Sequence, residues 1–584
     1  MMNNSVNDNI LNNPSLTISK IKFNNNEVFS FNNDDIILLV GANNVGKSRT
    51  LKDIKDDIIG KSTKRVIIKE IEYKDSNFTE KNMQNYFKNN YDNDIKNNGD
   101  YSIEIEHQVV QYYNNDQFKN ILLNKKLFYK VLFSFLSTEN RLSMTSPISY
   151  NFIQDKINLH IMRKLEKDTQ AITKLNDILN SCFDKAIDIS EEVNNNNSLS
   201  KLYKFGTKEE IARTINTNTR EARYLLESLD NLNEQGDGIR SAVAILSSLI
   251  ANEHTLYLID EPETFLHPPQ ARILGNNIIE LSKNKQCFIS THNIDFIRGI
   301  LENKSSRIKI IKINRNENNN EFHVIDNESI SRIANDKNLK YSNILNGLFY
   351  NTVVLCENES DCKFYSAILE YLDSNIYQNI LFCAVGGKDQ FKIIIPLLQK
   401  LEINYKIIAD LDLIDNRENL KKLLNSIEEN KYDQISESHN NFLNLFEKET
   451  DNQIKKQKTI KEEILKLFTK DDYMSEETAN KIKLTLKNIS HLKLLKNTGK
   501  SCLPAGKCTM EYDKIIQFLN MNNIYVVECG EIERFITQID GHGNNWVEKV
   551  FTTYPLLEES VYYDVKEFIK KIFKLDRKKG ETNE

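Results

Sequence analysis

The sequence predicts an α/β protein of two parallel-sheet domains in tandem, each interrupted by a helical insertion. Three observations predict it. First, the apolar run Ile36 to Val40 leads into GANNVGKS and then LKDIKDDI, whose apolar residues fall at helical spacing: a strand, a tight turn and a helix. Second, two later apolar runs, Leu256 to Ile259 and the one in CFISTH, end abruptly in Asp260 with Glu261 and in His292. Third, from Asn351 onward short apolar runs alternate with amphipathic segments, the pattern of parallel strands joined by right-handed crossovers.

The chain of 584 residues exceeds what one hydrophobic core organises. At about 100 to 200 residues per domain it divides into about three. Apolar residues make up 40% of it with no run of membrane-spanning length, and the start MMNNSVNDNI has neither the basic nor the apolar region of a signal peptide. A cytoplasmic protein with no membrane contact is expected. The eight cysteines lie mostly in apolar runs (Cys287, Cys356, Cys383) and form no CxxC pair, which fits buried free thiols. Net charge −6 argues against a surface that binds nucleic acid everywhere. It leaves room for a local basic channel, and Thr478 to Met510 carries seven lysines and no acid. A solvated helical face is the equal alternative for that stretch.

Gly41, Gly46, Lys47 and Ser48 fill the GxxxxGK[ST] pattern in its required strand, turn and helix context. Backbone N–H groups of such a loop wrap phosphate oxygens, the helix N-terminus adds a favourable dipole, Lys47 reaches the terminal phosphates, and Ser48 ligates magnesium. Asn44 in the loop and Arg49 at the helix start complete the nucleotide-binding set, and ATP is the expected cofactor. Asp260 is placed to hold the magnesium through water, and Glu261 to orient or deprotonate the attacking water. His292 ends the next strand, where a side chain can touch a terminal phosphate.

In this order, P-loop, acidic strand and strand-end histidine resemble ATPases of the ABC class, in particular those related to SMC and Rad50 proteins. The signature slot of that class corresponds to QGDGIRSAVAILSSLI, where Gly236 and Gly238 stand in place of the common Leu-Ser-Gly-Gly. The resemblance implies that this helix start meets the ATP of a second subunit, so that two heads sandwich the nucleotide. For a Q-loop glutamine, Gln108 and Gln111 are candidates. Leu159 to Ser190 has helical spacing and is closed by NNNN at Asn194 to Asn197. Residues 1–158 and 216–340 are thus assigned to the ATPase domain, and 159–215 to a helical insertion expected to act as a dimerisation arm.

In the second half, acids stand at the carboxyl ends of strands. Glu357 follows Val353 to Cys356, Asp361 lies at the next helix start, and Asp410 and Asp412 end a later strand, on one face by strand alternation. Carboxylates converging at one sheet edge repel unless a cation holds them, and magnesium or manganese suits all-oxygen ligands. The Glu and the Asp-x-Asp resemble a Toprim domain, although Asn358 replaces the usual glycine. Residues 341–584 are assigned to it, with a helical insertion at about 416–500.

An ABC-type head followed by Toprim resembles the overcoming lysogenization defect (OLD) nucleases and their relatives in bacterial anti-phage systems, such as Gabija and retron effectors. The resemblance implies a further metal ligand, Glu533 or failing it Glu531, in VECGEIERF. It also implies a positive transition-state group, for which Lys549, His542 and Lys507 are candidates. It implies an ATP-regulated, Mg2+- or Mn2+-dependent DNA endonuclease, forming a homodimer or higher homo-oligomer. A reverse transcriptase with its nucleic acid, or a helicase from a defence operon, is an implied partner. The alternative is an ATPase sensor whose Toprim half binds a partner or nucleic acid with little cleavage. Primase or topoisomerase activity is disfavoured, because the sequence offers neither a catalytic tyrosine context nor a zinc module.

Overall fold

The computed structural model describes residues 13–61, 64–90, 101–105, 108–113, 125–150, 161–193, 199–215, 220–303, 305–316, 319–325, 343–450, 457–468, 474–485 and 491–575. The chain divides into two compact units, Met1–Tyr341 and Ser342–Glu584.

The first unit is organised by a sheet of six strands: β1 (Ile36–Val40), β2 (Phe133–Leu136), β3 (Leu256–Asp260), β4 (Gln286–Ser290), β5 (Ile308–Asn316) and β6 (Asn319–Ile325), in the order β6-β5-β1-β4-β3-β2. All neighbours run parallel except β5 and β6, which form a hairpin. Every residue of β1 and β4 is buried, as a parallel strand covered on both faces requires. The parallel arrangement brings the ends of β1, β3 and β4 to one edge, with Asp260 opposite Ser290.

Helix α1 (Lys47–Ile59) buries Leu51, Ile54 and Ile58. Helix α2 (Asp237–Ala251) is buried continuously from Ser241 to Leu249, so it is covered around its circumference and not along one stripe. Helices α3 (Pro268–Leu281) and α4 (Ile294–Glu302) follow β3 and β4. A separate antiparallel sheet joins Ser15–Phe23 to Val28–Ser30 and Ile68–Ser76.

The region 159–215 contains the helices Ile161–Lys167, Thr169–Phe183 and Lys208–Ile215, but it is not helical throughout. Helical spacing stops at Phe183, Asp184 takes a left-handed φ of 54°, and the strand Ala186–Val193 begins. Ile187 and Ile189 alternate there with polar neighbours, so the period changes from helical to extended seven residues before Ser190 would end a helix. The strand pairs antiparallel with Leu199–Gly206, which also pairs with Ile148–Tyr150 and Asp230–Asn231. The NNNN stretch lies outside the described residues.

The second unit carries four parallel strands: β7 (Thr352–Cys356), β8 (Ile380–Ala384), β9 (Tyr405–Asp410) and β10 (Ile524–Val527), in the order β8-β7-β9-β10. Helix α5 (Glu359–Leu372) follows β7. Between β9 and β10 the chain forms the helices Arg417–Ile427, Ser436–Thr450, Gln457–Leu467, Glu476–Thr485, α6 (His491–Thr498) and Lys507–Met521. After β10, α7 (Gly543–Thr553) and Tyr563–Phe573 join α5 in a core of Phe364, Tyr365, Trp546, Val550, Val565 and Ile569. That packing fixes the loop from Glu531 to Gly543 beside the strand ends. Among the described residues, no helix is long and apolar enough to cross a membrane.

Candidate nucleotide and metal sites

In the first unit, Gly46 precedes α1 with φ 110°, where an L side chain is strained, and a Cβ there would lie 2.8 Å from Ile67 Cδ1. The turn it permits leaves the unpaired first N–H groups of α1 at the loop. Lys47 Nζ donates to Gly41 O (2.8 Å) and Ala42 O (2.9 Å), and burial holds its ammonium below the ordinary lysine range. Ser48 is half-buried at the second position of α1, and Asn44 is exposed in the loop with φ 63°. Arg49, expected among the nucleotide-binding residues, turns along α1 instead. Its Nε meets Asp53 Oδ1 at 2.9 Å and its Nη2 donates to Lys64 O at 3.1 Å. The buried Asp53 Oδ2 also accepts the N–H groups of Val66, Ile67 and Ile68, so Arg49 braces the strand beside the loop.

Across the same sheet edge, Asp260 Oδ1 accepts the Ser290 hydroxyl. Glu261 has φ 48°, a left-handed backbone that only its surroundings can hold. Its N–H donates to Ser290 O (3.0 Å), and the carbonyls of Asp260 and Glu261 accept Arg141 Nη1 (2.6 Å) and Nη2 (3.1 Å). Arg141 is fully buried and also donates to Leu136 O (2.8 Å) and, from Nε, to Ser241 Oγ on α2 (2.7 Å). Burial lowers its pKa to about 10, which leaves it charged at neutral pH.

His292 Nδ1 lies 3.3 Å from Glu261 Oε1 and 3.6 Å from Glu263 Oε1. The hydrogen bond between His292 and Glu261 raises the imidazole and lowers the carboxyl, so each favours its charged form. Glu263 behaves oppositely. It is 3% exposed, accepts Thr291 Oγ1 (2.7 Å) and His292 N (3.1 Å), and burial raises its carboxyl. Two glutamates whose carboxyls are shifted in opposite directions thus lie beside one histidine. Gly238 lies in the first turn of α2, where a Cβ would come 2.4 Å from Phe265 O, so only glycine lets α2 seat on the turn after Glu263. Gln108 and Gln111 lie on Gln108–Tyr113, which pairs antiparallel with Tyr101–Ile105.

In the second unit, Glu357, Asp410 and Asp412 bring one carboxylate oxygen each within 4.8 Å of one another. Asp410 closes β9, but Asp412 lies beyond the strand, in the tight helical turn Leu411–Ile414. The turn, not strand alternation, directs both acids to one place. Glu357 Oε1 accepts the N–H of Asp410 (3.4 Å). Burial first and the neighbouring carboxylates next raise Glu357, and they push Asp410 up to about 9. Asp412 is 7% exposed and its Oδ1 has no hydrogen-bond partner. Three carboxylates this close, one of which has a buried oxygen without a hydrogen-bond partner, fit a hard divalent cation.

Asp361 is held differently from the expected ligand role. Its Oδ2 accepts the N–H of Asn358 (3.0 Å), capping α5, and burial raises its carboxyl. Glu533 falls into a second cluster with Glu531 and His542. Of the candidate cations, Lys549 is exposed and donates to Asp540 O (3.2 Å), and Lys507 is exposed at the start of Lys507–Met521. Neither is paired with the clustered acids.

Two lysines that sequence reasoning missed take that place. Lys388 Nζ lies 2.8 Å from Asp412 Oδ2, and Lys496 Nζ lies 3.6 Å from Asp412 Oδ2, 4.0 Å from Asp410 Oδ2 and 3.6 Å from Glu531 Oε2. Burial alone would lower Lys496, but the surrounding carboxylates outweigh it and raise the ammonium. The signal for Lys388 was the Gly-Gly-Lys after β8, because Gly386 and Gly387 both donate N–H to Glu357 O at 3.0 Å. Lys496 belongs to the basic stretch already noted. Elsewhere in that stretch Lys481 pairs with Glu477, and Lys500 with Asp513 and Glu528.

Comparison with known proteins bears on both units. Residues 36–298 match the family model of an AAA domain described as a putative AbiEii toxin of a type IV TA system. Residues 348–412 match the Toprim domain of overcoming lysogenization defect protein-like proteins. The Old nuclease of Escherichia phage P2 is 25% identical over 171 residues, and the match covers 28% of this chain and 28% of that relative's length. Among solved structures, an Smc head bound to the C-winged helix domain of ScpA is similar at 11% identity and TM-score 0.31, over 53% of this chain and 97% of that one. The ADP conformation of an ATP-binding cassette of an ABC transporter is similar at 14% identity and TM-score 0.24, over 56% and 97%. An ATPase domain and a Toprim domain imply nucleotide and divalent-metal use. The chain thus joins an AAA-type ATPase domain to an OLD-like Toprim domain, the composition of an OLD-family ATPase–Toprim protein.

Proposed function

We propose that this chain is an ATP-regulated, divalent-metal-dependent DNA endonuclease acting in bacterial anti-phage defence. One observation carries the reading: Glu357, Asp410 and Asp412 converge with a buried, unpartnered Asp412 oxygen, flanked by Lys388 and Lys496. The three carboxylates would hold Mg2+ or Mn2+, which when bound supplies an activated water and charge stabilisation at a phosphodiester. Lys496 spans Asp410, Asp412 and Glu531, so its ammonium is placed to pair with a phosphate oxygen that enters between the clusters. Lys388 holds Asp412 in place. In the head, Lys47 and the α1 N–H groups would bind ATP phosphates, with Ser48 and Asp260 as the magnesium side. Glu261, kept ionised by His292, is the base or orienter of water. We infer that two heads close on ATP through Gly238 and α2, making a homodimer or larger assembly.

The test is supercoiled and linear DNA incubated with purified protein in Mg2+ or Mn2+, with and without ATP, for wild type and Glu357→Ala. Metal-dependent cleavage by wild type, lost in Glu357→Ala while ATP hydrolysis persists, is the expected result. Cleavage by the variant at the wild-type rate would place the nuclease elsewhere.

A further inference from the structure

His439 is fully buried in the helix Ser436–Thr450 and takes no part in the chemistry proposed above. Burying an imidazole is unfavourable unless its nitrogens are bonded, and here both are. Nε2 lies 2.6 Å from Ile414 O, and Nδ1 lies 3.0 Å from the Tyr432 hydroxyl. A carbonyl only accepts, so Nε2 carries the proton and donates. Burial holds the imidazole below the ordinary histidine range, so the ring is neutral and Nδ1 accepts from Tyr432. Ile414 ends the tight turn Leu411–Ile414, and at its other end the N–H of Leu411 donates to Gly530 O (2.9 Å). Asp412 lies between those two anchors, with Oδ2 against Lys388 and Oδ1 without a hydrogen-bond partner. The helix that delivers His439 is itself firmly seated. Phe442 and Phe446 are buried on it and stacked on each other, and Phe442 meets Tyr512. At its far end Thr450 Oγ1 lies 2.9 Å from His491 Nδ1, the first residue of α6, which carries Lys496.

We propose that His439 is a positioning residue for the metal site: its Nε2–H, oriented by Tyr432, holds the Ile414 carbonyl and keeps the Asp412 carboxylate aimed at a divalent cation shared with Glu357 and Asp410. His439 contacts the turn through the backbone and acts on the cation only through Asp412. A carboxylate that must be reoriented before it can coordinate loses metal affinity, and a hydrogen bond from a rigid, packed helix removes that loss. A residue that only filled the space would need no donor there. The inference deepens the reading of this cluster as a metal site and rests on it, but its first readout is binding, not cleavage.

The experiment measures Mn2+ binding by the full chain, with the free ion counted by EPR, well below each variant's melting temperature in EDTA. Glu357→Ala identifies the binding that belongs to the cluster. His439→Gln places an amide N–H where Nε2 stands, whereas the shorter amide of His439→Asn reaches only the Nδ1 position. The Gln variant should therefore bind Mn2+ near the wild-type affinity. His439→Asn and His439→Leu should weaken binding on the order of tenfold or more and lower kcat for DNA cleavage more than they raise KM. If the Leu variant does not fold, the Gln and Asn pair decides. A role in stability alone would lower melting temperatures and leave the Mn2+ affinity of the folded protein unchanged. That result, or equal affinities in Gln and Asn, would overturn the inference, as would a wild type whose Mn2+ binding does not depend on Glu357. Weakened binding in Asn but not Gln, with no cleavage by wild type, would sink the nuclease reading and leave His439 in its role. Cleavage lost in Glu357→Ala, with Mn2+ affinity unchanged in Asn, would do the reverse.

Discussion

Replacing Arg141 by Met tests whether a buried cation sets the geometry of the ATPase edge. The substitution removes donors to Leu136 O, Asp260 O, Glu261 O and Ser241 Oγ and leaves those groups inside the head. Hydrogen bonds to a charged group contribute about 1.5–3 kcal/mol each, but acceptors with a second partner recover part of that, and Met restores some packing. We expect a net loss of about 3–5 kcal/mol, in line with breaking a buried ionic network. In a head of this size that corresponds to a fall in melting temperature on the order of 10 °C. Freed from Arg141, the Glu261 carbonyl no longer holds the left-handed backbone, so kcat for ATP hydrolysis should fall more than KM rises. Thermal melting and steady-state ATPase assays on the full chain measure both, and Arg141→Lys should recover only part of each. A Met variant that melts within about 2 °C of wild type with unchanged kcat would refute the argument.

Glu261→Gln should still bind ATP but hydrolyse it more slowly by about 10²-fold or more, the usual contribution of a positioned acid–base group; equal turnover would remove it from the chemistry. Gly238→Ala drives a Cβ to 2.4 Å from Phe265 O and should cost about 1–3 kcal/mol by overpacking, read as a lower urea midpoint. Asp410→Asn tests the acid cluster through pH. The unfolded chain ionises Asp410 near 3.8 and the folded, metal-free chain near 9, so the folded state binds more protons in that window and stability falls as pH rises through it. In EDTA at pH 8 the Asn variant should therefore exceed wild type by about 1–3 kcal/mol. That advantage should vanish near pH 4 and reverse when Mn2+ is added, and a variant less stable than wild type in EDTA at pH 8 would contradict the repulsion.

What the sequence showed and what it concealed follows from how each residue reaches its site. Asp260, Glu357 and Asp410 lie at or just after the end of a buried strand, and Gly46 and Lys47 close the loop that leaves one, so a short apolar run announces both the element and the edge where it stops. Asp412 was placed in the right cluster for the wrong reason, because a turn and not strand alternation directs it. Arg49, expected at the nucleotide, pairs instead with the buried Asp53 four residues on in the helix, a competition that no motif weighs. Arg141, Glu263 and Lys388 act through tertiary contacts, and only the glycine pair before Lys388 gave a local hint. Lys496 is the sharpest case. Seven lysines in Thr478 to Met510 suggested a basic track, yet Lys481 and Lys500 are paired with acids at the surface while one turn of α6 lowers Lys496 onto Asp410, Asp412 and Glu531. The helices between β9 and β10 are therefore part of the site and not an appendage to it: they carry the cation that lies between the two acid clusters. Composition could count that cation, but only the packing of α6 against the turn Leu411–Ile414 selects it from the other six.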